Sequence, residues 1–379
     1  VAEEQFSFDT TINRRTTGSM KWSRHGEGVI PLWVADSDFS CAPAISEALQ
    51  ERVSHGVFGY HNPVENKAAA AAVVDWLERR YQWPIDPDWI VWIPGVVAAF
   101  NLACQAFSQP GDRILVQEPN YAPLRQAPGF HGRIREDVPT LLQGGRWTLD
   151  FEQLEKKAAH PDCSLFLLSN PMNPCGSVLT RPELQRIHSI CQQYQVILCS
   201  DEIHCDLVLD ERAKHIPAAT FADVAEHTLV LMAPSKTFNL AGLGAAFAIV
   251  PDVRVRARYT QATKGIMPWI NVMGMVALEQ AYMHCDDWYF AQLDYLRGNQ
   301  EFLTHAFSQL QGFEYSPQQA TYLAWVDATE LGVDDVQAYM LSNGVAPSPG
   351  KDFGWPEFSR INFACPRSLL ERAVERLTP

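Results

Sequence analysis

The sequence predicts an α/β fold, with a mostly parallel, helix-covered sheet in a large domain and a smaller α+β domain. Two observations predict it. From about residue 46 to 284, apolar runs of strand length alternate with segments of helix length, the pattern of parallel strands joined by crossover helices. Beyond residue 285 the alternation stops. One long helix-like stretch is followed by separate strand-like runs and a terminal helix. The expected organisation is a large domain over residues 46–284, with residues 1–45 and 285–379 forming the small one. No internal repeat or low-complexity tract interrupts the chain.

The expected strands of the large domain are Trp89–Ile93, Arg113–Gln117, Leu165–Ser169, Val196–Ser200, Thr228–Met232 and Ala245–Val250. Each is a short apolar run. Expected helices include Val96–Phe107, Arg181–Tyr194 and Trp269–His284. Pro182 falls in the first turn of its helix, where its missing N–H costs nothing. The tail predicts a long helix over Trp288–Leu310, a strand over Tyr322–Val326, a helix near Val333–Ser342, and a strand over Arg360–Phe363. Cys365-Pro366 then interrupts the chain before a last helix at Arg367–Leu377. In sheets of this kind, functional groups collect at the carboxyl ends of strands.

Composition sets outer limits. The chain has 379 residues, 47% hydrophobic and 20% charged, enough for two substantial cores. A net charge of −14 disfavours nucleic acid or an anionic membrane as partner. No stretch reaches the roughly 18 apolar residues of a membrane span. The opening Val1-Ala-Glu-Glu-Gln5 is acidic and polar, unlike a signal peptide. The nine cysteines are odd in number and never spaced Cys-x-x-Cys, which reads as a reducing cytoplasm. Cys199, His204 and Cys205 surround Asp201, yet the cysteines read as small buried hydrophobes rather than metal ligands.

The chemistry begins at two strand ends. Val196–Ser200 runs into Asp201-Glu-Ile-His204, and Thr228–Met232 runs through Ala-Pro into Ser235-Lys236. Asp201 and Lys236 are 35 positions apart, which leaves room for one helix between two parallel strands. A lone Asp-Glu is usually a solvated turn and a lone Ser-Lys carries little. Together at the mouths of two apolar strands they match what pyridoxal phosphate needs. Its aldehyde takes a lysine amine, and its ring nitrogen needs a carboxylate to stay protonated. A third run, Leu165–Ser169, leads into Asn170-Pro-Met-Asn173-Pro-Cys-Gly176.

With these strings the chain resembles the fold type I pyridoxal phosphate enzymes of the class I/II aminotransferase superfamily. Within it, the chain is similar to the cystathionine β-lyase-like (C–S lyase) branch. The likeness runs from Phe8-Asp9, Lys21-Trp22, Pro31-Leu-Trp-Val-Ala-Asp-Ser-Asp-Phe39, Gly59-Tyr60 and Pro94-Gly-Val-Val97 through the three strings above. It ends at Arg360-Ile-Asn-Phe-Ala-Cys-Pro-Arg367. Asn-Pro-x-Gly, Asp-Glu and Ser-Lys mark the superfamily. Trp-Val-Ala-Asp and Asp-Glu-Ile-His mark the branch.

The resemblance implies a role for each position. Lys236 carries the cofactor and later takes the substrate Cα proton. Asp201 pairs with the ring nitrogen, and Asn173 donates to the phenolic oxygen beside the substrate. His204 stands where the branch has histidine and the wider family tyrosine; it either bonds near the cofactor or packs beneath Asp201. Val96 and Val97 open a helix whose free N–H groups and dipole favour a phosphate, and Ser235 adds a hydroxyl. Tyr60 matches the tyrosine that reaches the phosphate of a neighbouring subunit. Tyr121 stacks on the ring beside the substrate. Arg360 grips the α-carboxylate as a planar fork, helped by the backbone around Ala35, while Arg367 reads as structural.

Two positions depart from the family. Ala233 stands three before the lysine, where Ser or Thr is frequent, and Gly244 stands eight after it, where many relatives carry Arg. The phosphate is then left to neutral donors or an unrecognised basic residue. Trp33, Tyr60, Tyr121 and Trp269 could form an aromatic pocket, though such residues are more often core. No second arginine for a side-chain carboxylate is evident, which argues against aspartate as substrate.

The implied activity is α,β-elimination on an L-cysteine S-conjugate or a cystathionine-like substrate, giving pyruvate, ammonia and a sulfur product. Alternatives are a cysteine-conjugate sulfoxide lyase of thiohistidine (ovothiol-type) biosynthesis, an aminotransferase on the same scaffold, and a pyridoxal phosphate protein with a regulatory binding role. The expected partners are a small amino-acid substrate and a second copy of the chain sharing active sites.

Overall fold

The computed structural model describes residues 6–221 and 224–378; the acidic opening Val1–Gln5 lies outside them. The strands are β1 (Ile30–Leu32), β2 (Ile90–Ile93), β3 (Arg113–Glu118), β4 (Ile134–Gln143), β5 (Arg146–Leu149), β6 (Cys163–Ser169), β7 (Ile197–Asp201), β8 (Thr228–Met232), β9 (Ala246–Ile249), β10 (Leu323–Asp327), β11 (Val345–Pro349) and β12 (Phe358–Asn362). They form an eight-stranded sheet, β2-β9-β8-β7-β6-β3-β4-β5, and a four-stranded sheet, β1-β11-β12-β10. In the large sheet, β8, β7, β6, β3 and β4 run parallel; β9 is antiparallel to both neighbours, and β5 returns antiparallel on β4. In the small sheet β1, from the N-terminal segment, pairs in parallel with β11.

The strands are apolar at successive positions because both faces are covered. Alternate side chains enter two separate cores. Ile114, Val116, Leu165, Leu167, Leu229 and Leu231 join one, packed under the helices Val96–Phe107 and Val253–Thr263. Leu115, Phe166, Leu168, Leu198, Val230 and Met232 join the other. The helix Arg181–Gln193 starts with a complete capping box between Thr180 and Glu183.

Three expectations need correction. No α-helix joins β7 to β8 among the described residues; short 3₁₀ turns at Ala218–Thr220 and Ala225–His227 take its place. This crossover is organised around the buried Glu202, which accepts bonds from Ser200 Oγ (2.8 Å), the Ala218 N–H (2.8 Å) and His215 Nε2 (2.7 Å). Both oxygens of this interior carboxylate are thus paired within the crossover, as buried polar groups usually are. Second, β4 and β5 form a hairpin that strand patterning did not reveal, because much of β4 is solvated. Its turn, Gly144-Gly145, with φ of 58° and 78°, is a recognisable two-residue hairpin signal. Third, Arg360 lies in the middle of β12 rather than at its start.

Candidate active site

Parallel pairing brings the acid and the lysine together at the carboxyl ends of central strands of the large sheet. β6, β7 and β8 are adjacent, with Ser169 opposite Asp201 and Asp201 opposite Leu231. Asp201 ends β7, and Lys236 follows β8 on a turn held by the Phe238 N–H to Pro234 carbonyl bond (2.8 Å). Thr237 Oγ1 donates to Asp206 Oδ2 at 3.0 Å, and Asn239 Nδ2 donates to the carbonyls of Ser37 and Phe39 at 3.1 and 2.8 Å. Asn239 has φ of 57°, a left-handed conformation that asparagine tolerates. The Ser235–Asn239 string is thus a locked turn that aims Lys236 into a cavity.

That cavity has a volume of about 220 Å³ and is walled by Lys236, Asp201, His204, Asn173, Tyr121 and Arg360 among others. Ala35, Ser235, Val96 and Val97 also line it. Lys236 Nζ donates to the Ala35 carbonyl at 2.6 Å. Burial lowers its amine to about 8, opposed by the Asp36 carboxylate and reinforced by Arg360. Burial raises the Asp201 carboxyl to about 7, opposed by the Ile203 N–H, which donates to Oδ1 at 3.1 Å. His204 is buried and held neutral, its pKa driven well down by burial and then by the charges of Lys236 and Arg360.

Arg360 is 3% exposed and reaches Asn173 Oδ1 (3.0 Å), Ser348 Oγ (3.0 Å) and the Trp33 carbonyl (3.3 Å). Its Cζ lies 4.6 Å from the Phe353 ring centroid. Burial lowers this guanidinium to about 10, so it remains charged at neutral pH. Tyr121 precedes the first residue of the helix Ala122–Phe130, and burial raises its hydroxyl pKa.

The segment between β1 and Phe39 is strapped in place. Asp38 accepts from Arg14, Trp22 Nε1 and the fully buried Lys21, each at 2.7 Å. Asn362 Nδ2 donates to the carbonyls of Val34 (2.7 Å) and Asp36 (2.8 Å). The Lys21-Trp22 and Trp33–Phe39 strings therefore converge on one network that positions the Ala35 carbonyl. Sequence reading missed Ser348, Thr237 and Asn362 as positioning residues, since nothing local distinguishes them from ordinary polar side chains.

Not every candidate joins the cavity. Tyr60 is fully exposed and walls an open surface groove with Phe58, His61, Met267 and Trp269. Arg367 bonds Asn299 Oδ1 at 2.9 Å and lies over Phe302, away from the cavity. Trp33 lines an adjoining space instead. Cys199 and Cys205 are buried.

The donor set fits pyridoxal phosphate. His204 Nδ1 and Arg360 Nε are buried polar atoms without a partner among the described residues. The helix Val96–Phe107 leaves the first N–H groups after Gly95 without intrahelical acceptors, as any helix start does. Ala233 and Gly244 line the same cavity, so neither position sends a hydroxyl or a guanidinium into it.

A family model described as aminotransferase class I and II matches residues 27–377. The chain is 36% identical to cystathionine beta-lyase PatB of Bacillus subtilis (strain 168), over 98% of both proteins. Among solved structures it is similar to OvoB, at 40% identity and a TM-score of 0.95, covering 98% of each chain. It is also similar to cystalysin from Treponema denticola with its pyridoxal 5'-phosphate cofactor, at 31% identity and a TM-score of 0.94, again over 98% of each.

Proposed function

We propose that this chain, which belongs to the aminotransferase class I and II family, is a pyridoxal phosphate-dependent carbon–sulfur lyase of the cystathionine β-lyase-like branch. The observation that carries the reading is one cavity holding a depressed lysine, a buried aspartate and a buried arginine fork.

When bound, pyridoxal phosphate supplies an aldehyde for an amino group and a ring that takes up the electrons left at Cα. Lys236 is the attachment point and the base, its amine uncharged in a useful fraction near neutral pH because burial disfavours the ammonium. Asp201 would keep the ring nitrogen protonated. Asn173 and His204 would bond the cofactor's polar substituents, and Tyr121 would pack against its ring. Val96, Val97 and Ser235 would hold the phosphate. Arg360, already oriented by Ser348 and Asn173, binds the substrate α-carboxylate and thereby fixes which Cα bond faces Lys236. After Lys236 takes the Cα proton, sulfur leaves Cβ with the bonding pair. Water then releases pyruvate and ammonia.

The reading includes a homodimer with shared sites, in the cytoplasm. Phe58, Tyr60 and Trp269 expose large apolar surface along one groove, which supports an isologous contact there. All nine cysteines are free thiols, and no described helix is long and apolar enough to cross a membrane. We keep residues 46–284 as the large domain, and residues 1–45 with 285–379 as the small one. The likeness to OvoB supports a narrower second reading, a sulfoxide lyase acting on an oxidised cysteine conjugate in ovothiol-type biosynthesis.

The test is a panel of β-thio-substituted L-amino acids and their sulfoxides, read by pyruvate and ammonia in equal amounts without a 2-oxo acid. Product formed only when an oxo acid is supplied, with sulfur retained on the carbon skeleton, makes the protein an aminotransferase.

A further inference from the structure

The Lys236 cavity shares Val34, Tyr121 and Arg360 with a second, more open space of about 420 Å³. Because the two spaces adjoin at these residues, a substituent on Cβ that outgrows the reaction cavity has the outer one open to it. Its walls carry two exposed cations, Arg24 and Lys351, and one carboxylate, Asp352. Neither cation has an ion-pair partner among the described residues, and the Arg24 side chain makes no hydrogen bond to them.

Arg24 is nevertheless held. Its Cζ lies 4.6 Å from the Trp33 ring centroid, and Trp33 Nε1 is tied to the Lys21 carbonyl at 3.1 Å. A guanidinium held over an indole by cation–π attraction still has N–H groups for an acceptor. The sequence alone revealed no second arginine for a side-chain carboxylate, because Arg24 lies before β1 and 336 positions ahead of Arg360. Folding brings it to the same wall.

We propose that this outer space is the subsite for the sulfur substituent, and that Arg24, with Lys351, takes a carboxylate at its far end. The proposal rests on the lyase reading and assigns within it the residues that select for a leaving group bearing a carboxylate. Trp33 and Tyr121 flank the route between the two ends.

The test compares S-(2-carboxyethyl)-L-cysteine with S-(2-carbamoylethyl)-L-cysteine on the holoenzyme. The two have the same leaving sulfur and nearly the same shape, and differ by one distal charge. The expected kcat/KM ratio favours the acid about tenfold at low ionic strength and shrinks with salt. In Arg24→Gln/Lys351→Gln the ratio falls to about one. Because each ratio is taken within one protein, general damage to folding or cofactor loading cancels. A wild-type ratio near one, or a ratio that survives the double substitution, overturns the proposal. Failure of the lyase reading looks different: no pyruvate from either conjugate or from S-methyl-L-cysteine. The same preference is then read from equilibrium titrations of the cofactor's absorption by the two conjugates, and equal affinities overturn it.

Discussion

Lys236 reaches across 201 positions of the chain to donate its Nζ proton to the Ala35 carbonyl at 2.6 Å. The bond joins the turn after β8 of the large sheet to the segment that runs on from β1 of the small sheet. Arg360 and Asn362 of β12 hold the same segment through the carbonyls of Trp33, Val34 and Asp36. The candidate site therefore lies where the two sheets meet, and each sheet positions residues that the other presents.

The depressed amine makes a prediction about the cofactor-free protein. Only the uncharged amine attacks an electrophile, and its fraction rises as pH passes upward through the pKa. For Lys236 that value is about 8, against about 10.4 for an ordinary lysine. Labelling with a small amine reagent, followed by peptide mapping, should show Lys236 reacting fastest, its rate half-maximal at about pH 8 and levelling off above that. Lys236→Ala removes the fast phase. A labelling profile that follows the surface lysines would show that burial does not discharge this amine.

Asp201 makes the opposite kind of prediction, about stability. Burial raises its folded pKa to about 7, from the 3.8 of an ordinary aspartate. The native state thus holds a proton that the unfolded chain has lost, and stability falls as pH rises through this window. Above it the loss amounts to a few kcal/mol, on the order of 4 at most. Asp201→Asn should therefore raise the melting temperature of the cofactor-free protein at pH 8, with the gain fading toward pH 4, while activity is lost. Equal melting temperatures at pH 8 would show that the carboxylate is solvated or paired.

The division between what the sequence revealed and what it hid is physical. Lys236, Asp201 and Asn173 were legible because each ends or closely follows an apolar strand, and parallel pairing carries the carboxyl ends of adjacent strands together. The helices Val96–Phe107 and Arg367–Leu377 were legible to the residue, the first being opened by Gly95 and the second following Pro366. The crossover after β7 was not, since a loop built on buried Glu202 leaves no periodicity. Ser348 was hidden because it meets Arg360 only through the pairing of β11 with β12, and Arg24 because it reaches the wall it shares with Arg360 only on folding. The role expected of Tyr60 came only from the resemblance, for its side chain is fully exposed.

Gly244 occupies the position where many relatives have arginine, but its backbone does not welcome one. Its φ is 58°, and a Cβ there would meet the Pro94 carbonyl oxygen at 3.0 Å. Gly244→Arg should lower stability by about 1–2 kcal/mol, the cost of a left-handed side chain in a tight site. It should not tighten cofactor binding, measured by equilibrium dialysis beside a melting curve. Tighter binding without loss of stability would mean that the turn relaxes to admit the family's contact.

The exposed Tyr60 yields a test of the shared site. If it serves the phosphate of the second subunit, every active site takes Lys236 from one chain and Tyr60 from the other. Tyr60→Phe and Lys236→Ala homodimers are then each defective at both sites. In a hybrid, one site carries both lesions and the other carries neither. Random exchange of equal amounts makes half the dimers hybrids, so the mixture should recover about a quarter of wild-type activity, above the mean of the two parents. Exchange is followed by a mass tag on one variant, so that absence of recovery can be separated from absence of mixing. Hybrids that form and show no gain, or full activity in a sedimenting monomer, would place Tyr60 outside catalysis.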